Sequence, residues 1–182
     1  MIEGERVLLR RMSRADAAEV VRMRAEPEVQ AQLFSARPPT MEEHLRWLAE
    51  VEARDDLHAF MIVERTSGRS VGTIGLSHID RENRRAEYGV LIGEPDARGK
   101  GLAAEASRLL LAYAFGTIGL RRVYLHVLAR NGDALRLYRR VGFQPEGVLR
   151  RHVRKGDEFL DVTVMAALAD ERSTSEGIEP KR

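Results

Sequence analysis

The most constraining feature of the sequence is a junction between a strand and a helix that is built around two glycines. Residues 85–92 read as a strand, the next loop contains Arg98-Gly99-Lys100-Gly101-Leu102-Ala103, and apolar residues then recur at helical spacing from Leu102 to Ala114. Glycines at a helix start let backbone N–H groups approach a ligand closely. Because those N–H groups have no helical partner and the helix dipole is positive there, a phosphate or pyrophosphate is the expected ligand, with added charge from Arg98 and Lys100.

The same junction has a simpler interpretation, in which the glycines only relieve a tight turn and the two cations are solvated. Two better-known phosphate loops do not fit it. It is not a P-loop, because the Gly-Lys-Ser/Thr ending is absent, and it is not a dinucleotide-binding motif, because the glycine spacing is wrong and no second mononucleotide-binding half follows.

Hydrophobic periodicity along the chain predicts the element order β-α-α-β-β-β-α-β-α-β-β. Strands and helices mix, and hairpins are expected near both ends, which favours an α/β or α+β layered fold around one mixed sheet. We predict one domain over residues 1–169. Segment 170–182 has nothing to bury in a core and is predicted to be a disordered tail.

The composition argues against several kinds of site and ligand. The chain has no cysteine, and its five histidines are scattered without a pair at metal-ligand spacing, so we expect no disulfide and no metal. With 30 basic and 28 acidic residues and few aromatics, a nucleic-acid partner is not expected. The N-terminus is charged and the longest uncharged run is too short for a membrane span, so we predict a cytoplasmic protein without a membrane partner.

A second motif lies downstream of the glycine loop and reads Asn131-Gly-Asp-Ala134-Leu-Arg-Leu-Tyr138-Arg-Arg-Val-Gly142-Phe143. It resembles the N-x-x-A-x-x-L-Y-x-x-x-G-F hallmark of the GNAT N-acetyltransferase superfamily, and Arg98-x-x-Gly101-x-Ala103 matches the R/Q-x-x-G-x-G/A signature of that superfamily. The motifs occur in the family's order, separated by a helix and a strand. The resemblance extends from about Glu5 to Leu168 and is nearest to the branch of ribosomal-protein N-terminal and spermidine acetyltransferases.

The resemblance implies a mixed, mostly antiparallel sheet of six to seven strands, flanked by about four helices, in which a central strand pair splays apart into a slot. Acetyl-CoA is the implied cosubstrate, with its pantetheine arm along the strand before the glycine loop and its pyrophosphate on the loop amides. Gly89 is the expected place of a bulge in that strand, or it packs against a helix. The implied cofactor contacts are Val90, Leu91, Ile92, Arg98, Gly99, Lys100, Gly101, Leu102, Ala103 and Asn131, of which Asn131 is also a natural helix N-cap.

The resemblance also implies catalytic residues. Tyr138 matches the family tyrosine that protonates the departing CoA thiolate, although its helical spacing also suits a core position. The amine is largely protonated at neutral pH, so a base is needed, and Glu87 on the slot strand and His126 on the neighbouring strand are the candidates. Either can instead be structural, with Glu87 paired to Arg84 or Arg85, and a water chain can replace a dedicated base. Backbone N–H groups of the slot would hold the oxyanion.

The predicted reaction is direct transfer of the acetyl group to a primary amine in a ternary complex. The acceptor is a protein N-terminus or a small amine such as a polyamine or aminosugar, and assembly as a homodimer is left open. A non-catalytic acyl-CoA-binding regulatory module on the same fold is the alternative. An amine accompanied by acidic groups would suit the basic segment 150–155, whereas a polyamine would suit four glutamates near the acceptor loop, unless these charges are only solvated: Glu26, Glu28, Glu42 and Glu43.

Overall fold

One eight-stranded sheet organises residues 1–171, the part of the chain that the computed structural model describes. The strands are β1 (Ile2–Glu3), β2 (Val7–Arg11), β3 (His58–Glu64), β4 (Ser70–Asp80), β5 (Arg85–Ile92), β6 (Arg122–Leu128), β7 (Gln144–Lys155) and β8 (Glu158–Leu168). Their order across the sheet is β1-β2-β3-β4-β5-β6-β8-β7, and every neighbouring pair is antiparallel except β5 and β6. The mixed, mostly antiparallel sheet is thereby confirmed. Its extra strand is the two-residue β1, which is too short for periodicity to reveal.

Within the described residues, five α-helices flank the sheet, where about four were expected. They are α1 (Ala17–Ala25), α2 (Pro27–Gln32), α3 (Met41–Glu52), α4 (Leu102–Ala112) and α5 (Gly132–Arg140). The additional helix is α2. Proline is tolerated in a first helical turn because its missing N–H would have no partner there, and Pro27 begins α2 in this way. No helix among residues 1–171 is long and apolar enough to cross a membrane.

The two faces of the sheet are covered by different helices. Tyr88 of β5 points towards α4, where its hydroxyl hydrogen-bonds to Ser107 at 2.6 Å. Leu91, three residues later and therefore on the opposite face, packs with Met23 of α1 and Val29 of α2. Successive residues of β5 thus face α4 on one side of the sheet and α1 and α2 on the other. A ligand lying beside β5 has access to groups from both sides.

The central parallel pair comes apart after a short start. β5 and β6 are paired at Arg85↔Arg122, Ala86↔Val123 and Glu87↔Tyr124 only. Beyond these positions β5 stays paired with β4 as far as Ile92, and β6 stays paired with β8 along its whole length. The splayed pair is confirmed, and the space between the diverging halves is called the slot below.

The bulge associated with the slot is not at Gly89. The pairing of β4 with β5 runs without interruption past Gly89, which lies opposite Gly75, and the register shifts between Ser77 and Asp80 of β4 instead. His78, in that interval, has a φ of 51°. A glycine pattern cannot reveal this bulge, because the residue that adopts the left-handed backbone conformation is a histidine.

The C-terminal boundary that we predicted lies at the end of the described residues. Residues 169–171 form a helical turn after β8. The predicted disordered tail from residue 170 therefore begins within the described residues, and its part from 172 to 182 lies outside them. The single domain over residues 1–169 stays a prediction.

Candidate active site

The glycine loop has the backbone that its sequence predicts. Gly99 and Gly101 have φ values of 72° and 80°, a conformation that side chains rarely tolerate, and Gly101 is the N-cap of α4. The first helical N–H groups to be satisfied are those of Ala104 and Glu105, which both donate to the Gly101 carbonyl. The N–H groups of residues 99–103 precede this first bond and, together with the helix dipole, offer an anion several donors.

A cavity of about 620 Å³ lies beside this loop along the outer side of α4. Four of its lining residues are cations, and among residues 1–171 none of their side chains has an ion-pair or hydrogen-bond partner: Arg6, Lys100, Arg108 and Arg140. The Glu105 carboxylate in the same cavity accepts the backbone N–H of Arg6 at 2.8 Å. Free cations beside free amides suit a ligand with several phosphates.

Three of these cations were missed by sequence reasoning. Arg108 had a usable signal, because it follows Ala104 at i+4 on the helix that the glycine loop begins. Arg6 and Arg140 had none, since they come from the start of β2 and the end of α5 and meet only in the folded chain.

Arg98 was predicted to bind the cofactor, and its side chain has a different environment. The guanidinium pairs with Glu26 at 2.6 Å and with Glu28, and it donates to the Ile92 carbonyl at 3.3 Å. Its charge is therefore neutralised and ties the glycine loop to the N-terminus of α2. The sequence could not reveal this contact, because α2 lies some seventy positions away along the chain. Its contact with the cofactor stays a prediction.

The other predicted cofactor residues line the slot or the loop. Val90, Leu91 and Ile92 have no neighbouring strand on the β6 side. At Gly89 no atom beyond its two chain neighbours lies within 4 Å of where a Cβ would be, so the face of β5 that carries Glu87 is open there. Asn131 is the N-cap of α5, its Oδ1 accepting the Ala134 N–H at 3.1 Å, and its side-chain NH₂ group has no partner among residues 1–171.

The two candidate bases lie in one cluster, on the face of the sheet that α1 and α2 cover. His126 Nδ1 is 2.8 Å from Glu87 Oε1, and His78 Nδ1 is 3.1 Å from Glu87 Oε2. An ionised carboxylate can only accept hydrogen bonds, so when Glu87 is ionised each Nδ1 is the donor, and in a neutral imidazole Nε2 is then the acceptor. The alternative pairing of Glu87 with Arg85 does not occur, since Arg85 binds Asp80 at 3.2 Å. His78 was not singled out from the sequence, because only the β4 bulge brings it here.

Tyr138 lies on the opposite face, against the first residue of the slot. Its ring meets Tyr88 edge to face at 5.9 Å between centroids and Phe143 at 5.8 Å. Burial raises the pKa of Tyr138 to about 12, so the hydroxyl keeps its proton at neutral pH. Within residues 1–171 this hydroxyl makes no hydrogen bond, whereas that of Tyr88 is bound to Ser107. Of these two buried tyrosines, Tyr138 is therefore the one whose hydroxyl is free to donate a hydrogen bond or a proton to a ligand.

The Glu87–His126 pair and Tyr138 both lie at the point where β5 and β6 separate. Glu87 is the last residue of β5 that pairs with β6, and Tyr88 is the first that does not. Neighbouring residues of a strand point to opposite faces of the sheet. Glu87 therefore contacts His126 on one face, and Tyr88 packs against Tyr138 on the other. A slot with a histidine–carboxylate pair on one face and a buried tyrosine on the other, leading to a loop of free backbone N–H groups, suits a group-transfer enzyme with a phosphorylated cosubstrate.

The chain belongs to the GNAT acetyltransferase family, whose profile, described as "Acetyltransferase (GNAT) domain", matches residues 6–144. The N-alpha-acetyltransferase RimI of Mycobacterium tuberculosis is 34% identical over 156 residues, covering 84% of this chain and 87% of that protein. An uncharacterized N-acetyltransferase of Bacillus licheniformis, p20, is 29% identical over 171 residues, covering 92% and 95%. Acetyl transfer from acetyl-CoA is therefore the activity of the class.

Among solved structures, the fold is similar to that of spermidine N-acetyltransferase from Vibrio cholerae in complex with CoA and spermine. The TM-score is 0.86, with 24% sequence identity, over 92% of this chain and 98% of that one. At this level of identity the similarity is one of fold.

The loop geometry makes Gly101 the position at which cofactor binding is most sensitive to a side chain. Gly101→Val is expected to weaken CoA binding roughly 10- to 100-fold, because a hydrogen bond to a charged group is worth about 1.5–3 kcal/mol and a side chain here obstructs the approach to the loop amides. Calorimetric titration with CoA measures the loss.

Gly119→Val is the matched control, since Gly119 has the same φ of 80° and lies away from the loop. Both variants are expected to lose similar stability from backbone strain, and only Gly101→Val should lose affinity. An unchanged dissociation constant for CoA in folded Gly101→Val would mean that the loop is no more than a turn.

Proposed function

We propose that this enzyme transfers the acetyl group of acetyl-CoA directly to a primary amine in a ternary complex, with His126 as base and Tyr138 as acid. The observation that carries the proposal is the position of these two groups on opposite faces of the sheet, at the apex of the slot. In the overall reaction a C–N bond forms, a C–S bond breaks, and an ammonium ion and a thioester become an amide, a thiol and one proton.

The cosubstrate supplies an activated acetyl group, and the residues described above would hold it. The unpaired edge of Val90, Leu91 and Ile92 would bind the pantetheine arm, and Asn131 would contact it with its free NH₂ group. The N–H groups of residues 99–103, which include those of Lys100, Leu102 and Ala103, would bind the pyrophosphate. The cations of the cavity would neutralise the phosphates, and Arg98 would act by holding the loop against α2.

The Glu87–His126 pair supports the role of a base. With Nδ1–H donated to the carboxylate, His126 presents Nε2 as a proton acceptor for the ammonium group of the substrate. The negative charge of Glu87 then stabilises the imidazolium that forms, as a buried carboxylate does for a catalytic histidine in other enzymes. The slot edge of β5 would provide N–H groups for the charge that develops on the carbonyl oxygen.

The acceptor is proposed to be a protein N-terminal amine or a small amine. RimI is named an N-alpha-acetyltransferase, which supports the first kind of acceptor. The Vibrio cholerae enzyme was crystallised with spermine, which supports the second. A homodimer stays a prediction, and sedimentation of the purified chain tests it.

The direct experiment is a thiol-release assay at fixed acetyl-CoA with polyamines, aminosugars and N-terminal peptides as acceptors. Release of CoA is expected only when an amine is present. Acetyl-CoA alone is expected to raise the melting temperature, since at a hundredfold excess over Kd a ligand adds about 2.7 kcal/mol of stability. Binding of CoA without acetylation of any amine would favour the regulatory-module alternative, and absence of binding would contradict the proposal as a whole.

Tyr138→Phe tests the acid, because it keeps the ring and deletes the hydroxyl. We expect kcat to fall roughly 10²- to 10⁴-fold, the usual scale for general acid catalysis, with the Kd for acetyl-CoA almost unchanged. Tyr88→Phe is the matched control: it removes a hydroxyl whose partner is Ser107, so it should cost about 1 kcal/mol of stability and leave kcat intact. A wild-type kcat in Tyr138→Phe would mean that this tyrosine only packs in the core and is not the acid.

His126→Gln tests the base. We expect kcat at neutral pH to fall by roughly 10²- to 10⁴-fold, because glutamine cannot take the proton that the amine must lose. His58→Gln is the control, since His58 is also a partly buried strand histidine, bonded at 3.1 Å to Tyr113. If Glu87→Gln loses activity while His126→Gln does not, Glu87 is the base, and if neither variant loses activity a water chain serves instead.

A further inference from the structure

Three neighbouring strands contribute one side chain each to a row that crosses the sheet: His78 of β4, Glu87 of β5 and His126 of β6. We call it the polar row. His78 Nδ1 lies 3.1 Å from Glu87 Oε2, and His126 Nδ1 lies 2.8 Å from Glu87 Oε1. Within residues 1–171 no arginine or lysine forms an ion pair with this carboxylate. The two histidines are therefore the side chains that hold its two oxygens, and the proposed reaction uses only His126.

The two imidazoles of the polar row differ in how they are held. The side chains of Glu87 and His126 are each 27% exposed, and the ring of Tyr124 packs edge to face against His126 at 5.9 Å between centroids. The side chain of His78 is 67% exposed and has no aromatic contact and no second hydrogen bond in the described part of the chain. Packing therefore helps to orient His126, whereas the contact with Glu87 is what orients His78.

The backbone at His78 is in a conformation that a residue with a Cβ adopts at a steric cost. Its φ is 51°, at the place where the pairing of β4 with β5 shifts in register. Glycine would avoid this cost, and a mostly exposed ring recovers little of it by burial. The fold alone therefore does not account for a histidine here. A side chain that an unfavourable backbone conformation turns towards a functional carboxylate indicates a role at the site.

Contact with His78 restricts how the Glu87 carboxylate can turn. The last torsion of a glutamate side chain has broad preferences, so a carboxylate bound through one oxygen can rotate. When Glu87 is ionised, its second oxygen accepts a hydrogen bond from His78 Nδ1, so the first stays in place for His126 Nδ1. A neutral His126 then presents Nε2, which has no partner within residues 1–171, as the acceptor for the amine. The face of β5 is open at Gly89, two residues beyond Glu87, which leaves space for that amine.

We propose that His78 is a positioning residue of this acetyltransferase: its Nδ1–H group holds the Glu87 carboxylate in the orientation that fixes the proton-accepting tautomer of His126. The proposal rests on the acetyltransferase function proposed above and adds one residue to its machinery. His78 itself exchanges no proton with the amine. The proton passes from the ammonium group to His126 Nε2, and the charge of Glu87 stabilises the imidazolium from the other side of the ring.

His78→Gly tests this role, because glycine suits the backbone conformation and removes the ring. We expect kcat to fall roughly 10- to 100-fold, the scale on which a misplaced catalytic group or a lost partner of a functional histidine is felt. The KM for the amine and the Kd for acetyl-CoA should hardly change, since the lost contact acts on the transfer of the proton. Steady-state kinetics and calorimetric titration with acetyl-CoA measure these quantities.

His78→Asn is the conservative variant. Its NH₂ group is bonded to Cγ, as Nδ1 is in histidine, and asparagine tolerates a positive φ, so most of the wild-type kcat should be retained. Arg84→Gly is the matched control, because Arg84 also has a φ of 51° and its side chain is exposed in the turn before β5. It should keep the wild-type kcat. If His78→Gly does not fold, His78→Asp serves in its place, since an ionised aspartate has the size of asparagine and no proton to donate.

A double-mutant cycle separates positioning from a merely structural effect. In the His126→Gln background there is no imidazole for Glu87 to orient, so His78→Gly should change kcat little. A structural effect would lower kcat by the same factor in both backgrounds, because a distortion of the fold does not depend on the imidazole of His126.

The tautomer of His126 can be measured without turnover, from the nitrogen NMR resonances of its imidazole at a pH where the ring is neutral. The signals that vanish in His126→Gln assign the ring. We expect the Nδ1–H form in the wild-type protein and in His78→Asn, and a mixture of the two tautomers in His78→Gly.

A wild-type kcat in folded His78→Gly, the same loss in His78→Asn, or the same factor in the His126→Gln background would overturn the proposal while leaving the enzyme an acetyltransferase. Failure of the proposed function is a different result, namely CoA bound and no amine acetylated. In that event the tautomers decide, and a mixture in His78→Gly supports the positioning role. An unchanged Nδ1–H form in His78→Gly contradicts it, whether or not an amine is acetylated.

Discussion

The structure depends on the separation of β5 from β6 after three paired positions. A parallel pair that stops so early leaves backbone hydrogen-bonding groups without a neighbour, which is costly unless something else pairs with them. The slot stays open because each strand is held from its other side, β5 by β4 as far as Ile92 and β6 by β8 along all its residues. At the point of separation, Glu87 contacts His126 on one face of the sheet and Tyr88 packs against Tyr138 on the other.

The charges near the glycine loop are of two kinds, some without a partner and some paired with α2. Around the glycine loop, cations such as Lys100 and Arg108 are left without carboxylate partners, which suits a polyphosphate. Arg98, in contrast, is paired, and it joins the glycine loop to the start of α2 by binding Glu26 and Glu28. Because α2 is also bound by Lys155 at its other end, one short helix connects the cofactor loop with the hairpin of β7 and β8.

Much of the fold could be predicted from local patterns. The strand β5 has the bounds that the sequence pattern predicts, and α4 begins where the glycine loop ends. The positive φ values at Gly99 and Gly101 follow from residue type, because only glycine adopts this conformation without strain. The spacing of the two motifs also led to the family, and with it to the splayed pair and to the neighbourhood of Tyr138, Glu87 and His126.

By itself, then, the sequence determined the class of enzyme, the anion loop and the candidates for acid and base, because these depend on residues close together in the chain or on a motif with fixed spacing. Only the tertiary structure decided which partners those residues have. The bulge at His78 that brings a second histidine to Glu87 and the pairing of Arg98 with α2 both join segments far apart in the chain. These contacts are set by packing and by competition among all the charges of the fold, and local periodicity does not encode either of them.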